Sequence, residues 1–146
     1  HHMTSDGPAE ISSDELFGGK TVALFAVPGA FTPTCSAKHV PVYVAAADAL
    51  KAKGVDTIVC LSVNDAFVMG AWGEDRGVGD KVMMAADGSA GFTRAVGLDL
   101  DLSERGFGVR SQRYSMLVRD GVVAALHIEA PGAFEVSDAD TMLGDL

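Results

Sequence analysis

Positive charge is scarce in this sequence: eleven Lys and Arg stand against twenty Asp and Glu, a formal net charge of −9 at pH 7. No segment is rich in basic residues, which argues against a nucleic-acid footprint and against adhesion to anionic membranes. Cysteine is scarcer still, with Cys35 and Cys60 alone. Two are too few for a secreted disulfide scaffold, and a pair in an acidic domain is expected of a cytoplasmic protein. Neither belongs to a Cys-x-x-Cys pair, and no paired Cys or His spacing suggests a zinc site. Long apolar runs are missing as well. The longest uncharged stretch, Thr21 to Ala37, is broken by Pro28-Gly29 and Thr32-Pro33, whereas a membrane-spanning helix needs roughly 20 apolar residues. No signal peptide is expected, and His1-His2-Met3 reads as the remnant of an affinity tag.

What is present is enough for one domain over residues 4–146, since 48% of residues are hydrophobic. Thr21-Val-Ala-Leu-Phe-Ala-Val27 is a continuous apolar run and predicts a strand buried on both faces. Thr32-Pro33 is a helix-start signal. Beyond it Val40, Tyr43, Val44, Ala47 and Leu50 recur at helical spacing up to Lys53-Gly54, with Pro41 expected to leave one turn irregular. Asp56 to Val63 predicts a second buried strand, followed by a helix over Ala66 to Asp75 carrying Trp72, expected to be partly buried. Lys81 to Ala86 is a third strand, and Phe92 to Val96 a short helix. Asp99 to Ser111 reads as a charged, glycine-containing loop. Tyr114 to Val118 and Val122 to His127 flank Arg119-Asp120-Gly121 as a hairpin, and Ser137-Asp138 caps a last helix. The order β-α-β-α-β-α-β-β-α implies parallel strands followed by an antiparallel hairpin. The expected fold is α/β, a thioredoxin-like three-layer α/β/α sandwich with a mixed central sheet.

Pro28-Gly-Ala-Phe-Thr32-Pro-Thr-Cys35 is the informative stretch. It joins the end of a buried strand to the start of a helix, where open α/β sheets bind ligands. A cysteine in the first helical turn faces unpaired N–H groups and the positive end of the helix dipole, which favour the nucleophilic thiolate. The pattern Pro28-x-x-x-Thr32-x-x-Cys35 resembles the peroxidatic-cysteine motif of the peroxiredoxins. The fuller wording PGAFTPTCSAKHVP, with CLSVNDAFVMGAW and RYSMLVRDG downstream, is similar to their type-II, glutaredoxin- or glutathione-linked subfamily. The resemblance runs from about Gly18 to the C-terminus.

It implies a thiol peroxidase in antioxidant defence, acting on hydrogen peroxide or alkyl hydroperoxides without metal, haem or other cofactor, and a homodimer. The expected reductant is glutathione, glutaredoxin or thioredoxin. By resemblance Cys35 attacks the peroxide and becomes a sulfenic acid, Thr32 offers its hydroxyl to the thiolate, and Pro28 shields the pocket. Arg113, in the Arg-Tyr-Ser-Met position, pairs with the thiolate; Arg110 and Arg119 nearby read as solvated charges. Cys60 reads from its apolar surroundings as a core residue, although plant type-II enzymes carry a cysteine 25 residues after the peroxidatic one with an assigned resolving role. No cysteine lies near the C-terminal helix, which favours an external thiol. The family's usual opening β segment with its Val-Gly-Asp-x-x-Pro pattern is lacking, so an edge hairpin is expected to be missing. His39, four residues after Cys35, allows a Cys–His hydrolase pair as an alternative, though it reads more simply as a helix-surface or dimer-edge histidine. A redox sensor that oxidises without turnover is a third reading.

Overall fold

The computed structural model describes residues His1–Leu146. Its elements in chain order are β1 (His2–Thr4), β2 (Gly7–Ala9), α1 (Ser13–Phe17), β3 (Thr21–Ala26), α2 (Val40–Ala52), β4 (Thr57–Ser62), α3 (Ala66–Asp75) and β5 (Met83–Ala86). They continue with α4 (Gly91–Ala95), β6 (Asp99–Leu102), β7 (Gly108–Ser111), β8 (Tyr114–Arg119), β9 (Val122–Ile128) and α5 (Ala139–Gly144). The central sheet runs β5-β4-β3-β8-β9. β3, β4 and β5 are parallel, while β8 lies antiparallel to β3 and β9 antiparallel to β8.

β3 occupies the middle of the sheet, and this explains its unbroken apolar run. Ala23 and Phe25 face one core with Tyr43 and Leu50 of α2, Met69 and Trp72 of α3 and Met142 of α5. Val22, Leu24 and Ala26 face the other, with Leu16 and Phe17 of α1. Helices therefore cover both faces, which completes the three-layer sandwich. Trp72, expected to be partly buried, is fully enclosed, with its indole N–H donating to the Ser36 hydroxyl at 2.9 Å. At the β8–β9 turn Asp120 and Gly121 both adopt positive φ, 48° and 77°, which is what a two-residue type I′ hairpin demands. No helix is long and apolar enough to cross a membrane.

The irregular turn expected from Pro41 lies just ahead of it. Residues Cys35–His39 form a π turn in which the Val40 N–H reaches the Cys35 carbonyl, five residues back. Pro41 has no N–H and its ring collides with a carbonyl placed for a regular turn, so widening the helix relieves both problems. The Ser36 carbonyl, which Pro41 cannot serve, accepts from Nη1 of Arg76 at 3.3 Å.

Two expectations fail. The segment Asp99–Ser111 is an antiparallel hairpin, β6 with β7, joined through a 3₁₀ turn at Ser103–Arg105 that ends on Gly106 at φ 76°. Its charges and glycines read as loop, yet Asp-Leu-Asp-Leu alternates in the two-residue rhythm of a half-buried strand. The edge hairpin expected to be missing is present. β1 pairs with β2, and it includes two of the three residues read as a tag remnant. The His1 amino group donates to the Ala86 carbonyl at 3.1 Å, and the Ala86 N–H to the His1 carbonyl at 2.7 Å, which ties the hairpin to the end of β5. A poor motif match in sequence did not mean a missing strand, because backbone pairing needs no particular side chains.

Met3 packs against Gly70 of α3, where a Cβ would fall 2.9 Å from the Met3 Cβ. Overpacking of this kind costs about 1–3 kcal/mol. Gly70→Ala is therefore expected to lift the hairpin and speed amide exchange over residues 3–9 by about tenfold or more, leaving Val22–Ala26 unchanged. Unaltered exchange in the hairpin would show that its docking does not depend on this contact.

Candidate active site

Antiparallel pairing sets the end of β3 beside the start of β8, with Ala26 opposite Tyr114. The chain leaving β3 carries Pro28, Thr32 and Cys35, and Arg113 immediately precedes β8. Side chains 78 residues apart in sequence thus meet: Nη2 of Arg113 donates to the Cys35 sulfur at 3.1 Å. The loop between them is pinned to the neighbouring strand. The Ala30 N–H donates to Oδ1 of Asn64 at 3.0 Å, which also accepts from the Ser62 hydroxyl at 2.7 Å. Phe31 sits at φ 62°, an uncommon backbone state for a bulky residue, so the loop holds some strain.

Thr32 stands just ahead of the helix start as expected, its carbonyl accepting the Ser36 N–H at 2.9 Å. Its hydroxyl donates to the Gly29 carbonyl at 2.7 Å, closing the loop on itself, and no hydrogen bond joins it to Cys35. Pro28 lines a cleft of about 130 Å³ together with Thr34, Gln112 and Arg113. A larger hollow of about 800 Å³ lies by α3 and β5 and is lined by neither cysteine.

His39 is the residue that sequence reasoning misplaced. It is fully buried, its ring tilted against those of Phe25, Tyr43 and Phe134. Its Nε2 lies 2.9 Å from the Ser137 carbonyl, which can only accept, so Nε2 carries the proton. Nδ1 is then free to accept from Nη1 of Arg113 at 2.9 Å. Neither nitrogen is left for Cys35, which disposes of a Cys–His hydrolase pair. The four-residue spacing from Cys35 was the one sequence signal, and it pointed to the right helix turn with the wrong partner. The loop supplying Ser137 is fixed by Glu129, whose carboxylate accepts from the N–H groups of Glu135, Val136 and Ser137 and from the Ser137 hydroxyl. Burial would raise this carboxyl, but the Ser137 hydroxyl and the backbone donors overcome it and hold it below its ordinary value. No sequence pattern announced Glu129.

Cys60 is fully buried on β4, between Phe25 and Met84 on the flanking strands, in the same core as Cys35. Both cysteines are free thiols. Burial, and then the nearby Cys35, push the Cys60 thiol well above its ordinary value, so it resists forming the thiolate. No cluster of three or more His, Cys, Asp or Glu side chains could hold a metal ion.

The Redoxin family profile matches residues 2–143. Peroxiredoxin-2B of Arabidopsis thaliana is 52% identical over 132 residues, covering 90% of this chain and 82% of the relative. The chain belongs to the type-II peroxiredoxins. Peroxiredoxin-2E, chloroplastic, of the same plant is 53% identical over 135 residues, and the match covers 91% of this chain but only 58% of that relative's length. The crystal structure of reduced Prx3 in complex with hydrogen peroxide from Vibrio vulnificus superimposes with a TM-score of 0.94 at 55% identity, covering 98% of this chain and 89% of that one. The β1–β2 hairpin falls within the family match, in keeping with its place in the fold.

Burial, and then the Arg113 charge, lower His39 from its ordinary 6.5 to about 3, against the opposing pull of the Ser137 carbonyl. The folded peroxiredoxin therefore keeps His39 neutral where the unfolded chain protonates it. As pH falls below about 6.5 the unfolded state binds the extra proton and stability declines, by up to about 1.4 kcal/mol per pH unit from this one group. Urea unfolding of wild type and His39→Gln between pH 6.5 and 5, above the carboxylate range, is expected to show a shallower decline in the variant. Equal slopes would mean that His39 is charged in the folded protein.

Proposed function

We propose that this chain is a thiol peroxidase in antioxidant defence, with Cys35 as the peroxidatic residue. One observation carries the reading: a buried sulfur held by an arginine fork that is itself held by a neutral histidine. The Cys35 thiolate attacks one peroxide oxygen, a sulfur–oxygen bond forms, and the O–O bond breaks. The departing hydroxide or alkoxide takes a proton and leaves as water or alcohol. Arg113 stays charged throughout, so its donors can follow negative charge from sulfur to the leaving oxygen.

A reducing thiol then attacks the sulfenic sulfur, releasing water and forming a mixed disulfide. A second thiol restores Cys35. Glutathione or glutaredoxin is the reductant we favour, because Cys60 is enclosed in the sheet and the chain has no third cysteine. Thioredoxin is the runner-up. The cytoplasm is the proposed location, as a reducing compartment. A homodimer is the proposed assembly, supported by the exposed rings of Phe31, Phe67 and Phe107.

Losing one such donor costs about 2.7–4 kcal/mol in transition-state stabilisation. Arg113→Lys is expected to slow oxidation of Cys35 by hydrogen peroxide roughly 100- to 1,000-fold in stopped flow, with circular dichroism unchanged. A near-wild-type rate would move the role elsewhere. Cys60→Ser is expected to keep at least half of the glutathione- or glutaredoxin-supported turnover. A variant that forms sulfenic acid normally yet cannot be recycled by any external thiol would make Cys60 the resolving residue. Stoichiometric oxidation of wild type without turnover would favour the sensor reading.

A further inference from the structure

Arg110 is a charged side chain beside the active-site loop that the chemistry above does not use. It stands on β7 directly opposite Leu100 of β6, so the two side chains share a face of the hairpin. Leu100 lines the cleft next to Arg113 and Pro28, so Arg110 shares a hairpin face with one of the cleft's lining residues. Its Nε donates to the Phe107 carbonyl at 2.8 Å, and its guanidinium carbon lies 5.9 Å from the centre of the Phe107 ring. These two contacts hold the head in place. On its other side it lies over Gly29: a Cβ added there would fall 3.2 Å from Nη1 of Arg110 and 3.1 Å from the Thr32 methyl carbon. The guanidinium thus rests on the loop that leads to Cys35.

Both of its terminal nitrogens are uncommitted. The Phe107 carbonyl is the only hydrogen-bond acceptor of Arg110, and no carboxylate lies within ion-pair distance of it. Most basic residues of this chain lack a carboxylate partner; what sets Arg110 apart is a head anchored through Nε with both terminal nitrogens left open. The fork matches a carboxylate in two parallel hydrogen bonds. Hydrogen peroxide carries no carboxylate, but glutathione carries two.

We propose that Arg110 binds a carboxylate of the small thiol that reduces oxidised Cys35, and so selects acidic thiols such as glutathione over neutral ones. The proposal rests on the external-thiol reading above. The step it serves is attack of the thiol sulfur on the Cys35 sulfenic sulfur, which forms the S–S bond and releases the sulfenic oxygen as water. Arg110 takes no part in the covalent change; it positions the attacking thiol.

The test oxidises Cys35 with one equivalent of hydrogen peroxide and follows its reduction by glutathione, glutathione diethyl ester, thioglycolate and 2-mercaptoethanol. Arg110→Met is expected to slow glutathione and thioglycolate about tenfold, the effect of losing one charge-assisted contact. The ester and 2-mercaptoethanol should stay within twofold of wild type, and the salt dependence of the glutathione rate should flatten. Arg110→Lys should fall between the two, keeping charge without the fork. An equal loss with all four thiols, or no loss with any, would overturn the proposal. So would a loss confined to the oxidation step with a carboxylate-bearing hydroperoxide, which would assign Arg110 to the peroxide. If wild type is not turned over by glutathione, the reductant reading fails by itself. The contrast of thioglycolate with 2-mercaptoethanol still decides the role of Arg110.

Discussion

The guanidinium of Arg113 is the contact on which the site depends. One of its terminal nitrogens donates to Cys35 and the other to His39, and the ring of Phe134 lies 6.0 Å from its centre. A planar fork can do this only if both acceptors lie in its plane and neither competes as a proton donor. A protonated His39 would turn an acceptor into a second positive charge facing the first. The burial that keeps His39 neutral is therefore part of what holds Arg113 on the sulfur.

That neutrality is arranged at some distance. Tyr43 and His39 both donate to the Ser137 carbonyl, so the loop before α5 fixes the histidine tautomer. The loop in turn is gathered by the Glu129 carboxylate, which takes the N–H groups of three successive residues. An anion at the end of β9 thereby organises backbone that touches the histidine, which touches the arginine, which touches the Cys35 sulfur. Each link is an ordinary hydrogen bond between buried or half-buried groups, and low local dielectric strengthens such a chain when every member is satisfied.

Cys35, Arg113 and the sheet strands were legible in sequence for separate reasons. The strands follow from apolar runs on a sheet covered on both sides, and the helix start from Thr32-Pro33. Cys35 and Arg113 came from motifs. His39 was misread because helical spacing places it near Cys35 without saying which way the ring turns, and the π turn changes the angle per residue across Cys35–His39. Thr32 was legible as the helix start, but nothing in the sequence said that its hydroxyl would turn back to the Gly29 carbonyl. Glu129 was invisible, since its partners are backbone N–H groups that any sequence supplies. The β6–β7 hairpin was lost to its charges, although its alternation was there to see.

The register of β8 against β3 has a consequence for the newly made chain. Cys35 leaves the end of one strand and Arg113 enters the start of the other, and only the pairing of Ala26 with Tyr114 brings them together. Contacts this distant in sequence form late, after local helices and turns, because the loop between them must first be closed. A ribosome-bound or half-folded copy therefore carries two unexceptional thiols, neither clasped by a guanidinium. The guanidinium's hold on the sulfur arrives together with the finished sheet, so only molecules that have already folded carry it.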